Sequence, residues 1–235
     1  MTKATVPFDV IADFLLEDRR NIERLAPGDH SLAEVGCLLV VGPDSPELGA
    51  AFRRMVGDEG AIELLEAVLI HAVGYLGVVR VRRAHELLRA EYARTQAAHA
   101  GSATAPIEPD RDARVRTGSR LYDRFDPGRQ ARQAKKFEVL SSIYYPRAME
   151  LAGLVLASSA LTLRQRQIVT VAMLSCLGGQ ADQLRFHIGV AGRNAVSRDT
   201  LAGIFILVQA YAGLPRANSA AALALDVLAA DVAQG

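Results

Sequence analysis

Tryptophan is absent from this 235-residue chain, cysteine occurs twice, and aromatic residues make up only 6%. Cys37 and Cys176 lie far apart in apolar runs. They offer neither a disulfide framework nor the paired spacing of a zinc site, which suits a reducing, cytoplasmic setting. An excess of one charge is also lacking: 27 Lys and Arg face 26 Asp and Glu for a net charge of +1. No whole-chain field draws in a polyanion, so nucleic acid falls down the order of partners. Apolar runs such as 151–160 and 201–208 stop well short of the ~18 residues that a membrane span needs. The opening stretch has one basic residue, Lys3, then a short apolar patch and early acids, unlike an export signal. The chain has no G-x-x-x-x-G-K-[S/T], G-x-G-x-x-G after a strand, H-E-x-x-H or G-x-S-x-G motif. Nucleotide-dependent, zinc-protease and nucleophile-elbow chemistries therefore lack their usual markers, and neither metal nor cofactor is expected.

Half of the residues are hydrophobic, enough to pack one or two cores. Apolar residues recur every three or four positions instead of alternating, which predicts an all-α fold. In the stretch 61–77 the apolar face runs through Ile62, Leu65, Val68, Leu69 and Ala72, and Gly77 ends the helix. Late in the chain, Ser197 caps a helix that runs to Gly213, and Leu214, Pro215 and Arg216 open another. The two stretches are in register at an offset of 136: Tyr75 falls on Tyr211, Gly77 on Gly213, Arg80 on Arg216 and Ala84 on Ala220. Upstream, the run from Ser31 is placed like the run from Arg166. Such matches mark a diverged internal duplication.

Three segments follow. Residues 1–95 form an N-terminal repeat, 96–128 a linker and 129–235 a C-terminal repeat. The linker is assigned because an Ala-, Gly-, Ser- and Pro-bearing stretch breaks the helical pattern from Thr95 to about Phe125. Residues 109–136 carry nine basic side chains and four acidic ones, which reads either as a solvated arm crossing a neighbouring subunit or as a patch for an anionic partner.

Two histidines stand inside apolar helical stretches, His71 and His187, where an imidazole must find a partner or titrate near neutral pH. Each is either a core residue with a hydrogen bond or an acid–base group. Tyr144, Tyr145 and Arg147 cluster just before an apolar helix. A planar guanidinium beside two phenols suits a carboxylate or phenolate, and it equally suits an interface. Cys176, eleven residues before His187, reads as packing more readily than as a nucleophile.

Residues 161–218 carry a resemblance. Ile168-Val-Thr-Val-Ala-Met-Leu174, Leu184-Arg-Phe-His187, Asn194 ahead of Ser197-Arg-Asp199, and Tyr211-Ala-Gly-Leu-Pro-Arg-Ala-Asn218 resemble the carboxymuconolactone decarboxylase family, relatives of AhpD-type peroxidases. The resemblance implies an AhpD-like helical fold, here internally duplicated, and assembly into a homo-oligomer: a trimer with pseudo-sixfold character, or a dimer. It implies His187 as the acid–base residue. In the peroxidase branch two cysteines precede that histidine by seven and four residues. Here those places hold Gln180 and Gln183, which disfavours thiol peroxidase chemistry.

A glutamate often stands in the decarboxylase branch where this chain has Gln183, an amide that orients a substrate but moves no proton. The offset sends His187 to Ala51, so the N-terminal repeat lacks that histidine, and His71 with His187 would line a composite pocket if the repeats face each other. The expected site is therefore His187, His71 and Gln183 for catalysis, with Tyr144, Tyr145, Arg147 and Tyr211 for the substrate. The expected function is a cofactor-independent lyase acting on a carboxylated lactone or polyketide-like enone, by decarboxylation or a related dehydration, isomerisation or ring opening, in natural-product tailoring. A catalytically inert helical scaffold or partner protein is the alternative from another class.

Overall fold

Several helices of this chain stop at a glycine. A computed structural model describes residues 10–11, 15, 25–57, 60–95, 110–157 and 160–232, and among these it forms eleven α-helices and no strand. They are α1 (Pro27–Val41), α2 (Pro46–Val56), α3 (Ala61–Leu76), α4 (Val78–Thr95), α5 (Arg111–Phe125), α6 (Arg129–Glu138), α7 (Tyr144–Val155), α8 (Leu163–Leu177), α9 (Ala181–Arg193), α10 (Arg198–Ala212) and α11 (Leu214–Val232). The fold is all-α, as the periodicity predicts. No described helix is long and apolar enough to cross a membrane.

The expected stops are where the sequence puts them. Gly77 ends α3 at φ +77° and Gly213 ends α10 at φ +87°, a left-handed backbone that costs a residue without Cβ little. Ser197 caps α10 by accepting a hydrogen bond from the Thr200 amide at 3.0 Å. The helix boundaries can be compared under the same shift. A shift of 136 positions carries the start of α1 onto that of α8, and the starts of α2, α3 and α4 onto those of α9, α10 and α11 to within one residue.

The segment expected as a linker is in part a helix. Residues 96–109 lie outside the described residues, but Arg111–Phe125 forms α5, capped by the Asp110 carboxylate, which accepts from the amides of Asp112 and Ala113. Packing against α7 overrides its weak apolar periodicity. Gly118 and Gly153 make the close crossing possible: a Cβ on Gly118 would stand 1.8 Å from the Met149 carbonyl oxygen.

By packing, the chain forms two compact units, residues 1–42 with 167–235, and residues 43–166. In the first, α1 and α8 are apolar on nearly every side, the mark of buried helices. They cross closely where Gly36 meets Ala172, since a Cβ at Gly36 would lie 3.0 Å from the Ala172 methyl. Those two residues are equivalent under the 136-residue shift. Helix α10 packs on α1 and α11, and α11 also on α9. In the second unit α2 and α3 pack on α4, and α3, α5 and α6 on α7. Tyr145, Met149 and Ala152 of α7 form a core there with Val115, Tyr122 and Phe137.

Candidate active site

His187 sits on the buried side of α9, 5% exposed. Its Nδ1 lies 2.9 Å from Oε1 of Gln167, a residue of α8 that is itself 1% exposed. With an amide oxygen as acceptor, Nδ1–H donates, and the neutral ring carries its lone pair on Nε2. The amide nitrogen of Gln167 is buried without a hydrogen-bond partner. Two buried polar side chains on adjacent helices thus fix one ring orientation and one tautomer, as an acid–base residue requires.

A second buried polar link lies in the same unit. Tyr211 of α10 donates its phenol to Oε1 of Glu34 on α1 at 2.6 Å, and Glu34 is only 3% exposed. One turn further along α1, the Cys37 thiol is hydrogen-bonded to Cys176. Both cysteines are fully buried, and the Cys37 thiol is pushed well above the usual thiol range by that hydrogen bond first, then by burial and by the charges of Cys176 and Glu34. A buried thiol so disposed is a poor nucleophile.

Comparison with known proteins adds the family. The model of the carboxymuconolactone decarboxylase family matches residues 144–226, which include Tyr144, His187 and Tyr211. A 4-carboxymuconolactone decarboxylase from Acinetobacter baylyi (strain ATCC 33305 / BD413 / ADP1) is 36% identical over 75 residues, a stretch covering 32% of this chain and 55% of that protein. Residues 144–226 are therefore similar to the carboxymuconolactone decarboxylase family. The chain spans about half the length of the curated relative it matches.

On the structure, the other expected site residues divide between the two units. Gln183 lies one turn before His187 on α9 and is exposed, as is Gln180. His71 belongs to the unit of residues 43–166 and is fully buried on α3. Its Nδ1 stands 3.4 Å from Nη1 of Arg166, and its ring packs 5.2 Å from that of Tyr75. Arg166 donates to the carbonyls of Val155 and Leu156, closing the C-terminal end of α7, and burial lowers its pKa.

Tyr144, Tyr145 and Arg147 lie in that unit too. Arg147 pairs with Glu150 at 2.7 Å, and Arg111 and Arg114 hold the same carboxylate. Tyr145 is buried, stacks on Phe137 at 6.1 Å, and has its phenol pushed up to about 12 by burial first and then by Tyr122 and Asp123. Tyr144, half exposed, packs 5.2 Å from Phe137.

Sequence reasoning missed Gln167 and Glu34. Glu34 is a polar side chain in an apolar run, where burial demands a partner, whereas Gln167 follows Arg164, Gln165 and Arg166 and carried no such signal. Among the described residues no group of three or more His, Cys, Asp or Glu side chains is placed to hold a metal ion.

Proposed function

We propose that this protein is a lyase of the carboxymuconolactone decarboxylase type in which His187 transfers the proton. One observation carries the reading: the His187 ring is buried and its Nδ1 is held by the Gln167 amide oxygen. That acceptor serves the neutral ring and the imidazolium equally, because Nδ1–H is present in both. Nε2 alone then gains and loses the proton, and the ring keeps its orientation.

The proposed substrate is a lactone bearing a carboxylate whose electron pair can pass into a conjugated carbonyl. The carbon–carbon bond to the carboxylate breaks and carbon dioxide leaves. The pair moves onto the lactone carbonyl as an enolate, and the enolate carbon takes a proton from Nε2 of the imidazolium. Water then returns a proton to Nε2. The protein's task is to favour the enolate over the carboxylate and to hold the proton donor at the right face. No residue named here needs a cofactor for its part. The same groups would serve the dehydration or ring opening of a polyketide-like enone.

Purified protein is mixed with γ-carboxymuconolactone, and carbon dioxide release is followed with His187→Ala as control. We expect release by the wild type and a loss on the order of 10²-fold or more in the variant, the range of a positioned acid–base group. Wild-type turnover in His187→Ala would sink the assigned role.

A further inference from the structure

Outside the His187–Gln167 pair, a cleft of about 520 Å³ opens where α8 ends, α9 begins and α11 begins, with Leu174, Ser175, Leu184, Arg216, Ala220 and Leu223 among its lining. That volume is in the range of small-molecule sites. Most of the lining is aliphatic or small, and Ser175, Gln180, Arg216 and Ser219 are its polar side chains. Arg216 donates from Nη1 to the carbonyl of Cys176, which uses one of five guanidinium donors, and no carboxylate among the described residues pairs with it. The first turn of the 13-residue α9 also lines the cleft, and Arg216 lies near it, its Nε 3.5 Å from where a Cβ on Gly178 would stand. Its N-cap, Gln180, makes no side-chain cap bond, so its leading amides face outward with the positive end of the helix dipole. Asp182 is the one acid in that turn, and it is exposed. Ser175 adds to the wall a buried hydroxyl oxygen with no hydrogen-bond partner.

The internal duplication tells what is missing from this place. Under the 136-residue shift, Gln180 corresponds to Asp44, Ala181 to Ser45 and Ser219 to Arg83. In the N-terminal repeat the Ser45 hydroxyl caps α2 by accepting from the Leu48 amide at 3.2 Å, and Asp44 pairs with Arg83 at 3.5 Å. Where the N-terminal repeat has a capping hydroxyl, a carboxylate and an arginine, the C-terminal repeat has a methyl, an amide and a serine. Arg216, the counterpart of Arg80, remains. The C-terminal repeat thus has neither acceptor, while a cation and uncapped amides line an apolar cleft.

We infer that this cleft is a binding site for a small monocarboxylate with a compact apolar body, whose carboxylate takes the place that Asp44 and Ser45 fill in the other repeat. One guanidinium and one helix terminus, with Asp182 nearby, balance a single negative charge and not two, and the aliphatic part of the lining suits an apolar body behind the carboxylate. The site does not rest on the lyase reading, since neither His187 nor Gln167 lines it.

Calorimetric titration of the full chain with sodium benzoate, with benzamide as the uncharged isostere, tests the assignment, and hydrogen exchange locates it. Benzoate should bind once per chain, at least about tenfold more tightly than benzamide, and should protect the amides of residues 178–184. Arg216→Gln should weaken benzoate binding about tenfold or more. Because Arg216 also holds the end of α8, a second variant leaves it in place: Gln180→Asp with Ser219→Arg rebuilds the ion pair of the N-terminal repeat, and should keep the melting temperature while losing benzoate. His187→Ala should bind benzoate as the wild type does. Absence of binding, equal affinity for benzamide, protection centred elsewhere, undiminished binding by the double variant, or loss of binding in His187→Ala would each overturn the assignment.

Discussion

Gln167→Leu separates the positioning of His187 from the stability of the bundle. The substitution removes the acceptor 2.9 Å from Nδ1 of a ring that is 5% exposed. Leaving that N–H unsatisfied costs about 1–3 kcal/mol. The same change deletes the Gln167 amide nitrogen, which is buried with no partner, and relieving that desolvation returns a similar ~1–3 kcal/mol. The two terms oppose each other, so stability should change by no more than about 1 kcal/mol, a shift of roughly 2–4 °C in Tm for a chain of this size. Chemistry should not be spared in the same way. Without the amide oxygen the neutral ring reverts to the Nε2–H tautomer favoured by free imidazole, which moves the lone pair to the wrong nitrogen. Decarboxylation kcat/KM should then fall on the order of 10²-fold. Long-range ¹H–¹⁵N spectra read the tautomer directly and need no substrate, urea unfolding gives the stability, and carbon dioxide release gives the rate. An Nε2–H tautomer in the wild type would refute the hydrogen-bond direction. A loss of more than about 3 kcal/mol in the variant would refute the cancellation, and an unchanged kcat/KM would refute the positioning role.

Gly118→Ala should destabilise the protein, because its methyl would stand 1.8 Å from a backbone oxygen and 2.7 Å from the Gly153 nitrogen. Overpacking at the upper end of about 1–3 kcal/mol outweighs the ~1 kcal/mol that alanine gains over glycine in a helix. A fall in Tm of roughly 4–8 °C is expected, whereas Gly57→Ala, with nothing within 4 Å, should leave Tm unchanged. Tyr211→Phe should cost about 1–3 kcal/mol in urea unfolding, since it takes away the hydroxyl that Glu34 accepts in a buried site. The Glu150 carboxyl is held at about 2, against an ordinary 4.5, by Arg114 first and then by Arg147 and Arg111. Its folded value lies below its unfolded one, so its stabilisation is complete above about 4.5 and is lost as pH falls through about 2. Glu150→Gln should remove that part of the acid-unfolding profile. Neither Cys37 nor Cys176 should react with a thiol-labelling reagent in the native protein, and both should react in urea; fast labelling of the folded chain would contradict their burial.

Local features of the fold were legible because they are written in nearby residues. Gly77, Gly213 and Ser197 end or start helices through backbone conformation or a cap reaching three residues, and a three- to four-residue apolar spacing identifies the helices between them. What periodicity does not encode is the partner. Helix α1 carries apolar residues all round, which says that it is buried but not that α8 and α10 bury it. Helix α5 escaped because its charges and mid-helix Gly118 read as loop signals, while the residue that makes it a packed helix, Gly153, lies 35 positions away. The site behaved similarly. His187 was visible as an imidazole in an apolar helix, and Tyr211 through the repeat, but their partners Gln167 and Glu34 stand 20 and 177 positions distant, joined only by the packing of helices.

The duplicated halves have diverged by whole polar partnerships. His187 and Gln167 correspond to Ala51 and Ser31, so the N-terminal repeat lacks both members of the pair. Ala51 is buried, and Ser31 satisfies itself by donating to the Pro27 carbonyl. The two members of the pair are thus present together in one repeat and absent together from the other. The ion pair of Asp44 with Arg83 follows the same logic in the other direction, since both members are replaced in the C-terminal repeat, by Gln180 and Ser219. Arg216 keeps the charge of its counterpart Arg80, although the Asp44–Arg83 pair beside that counterpart has no equivalent next to it.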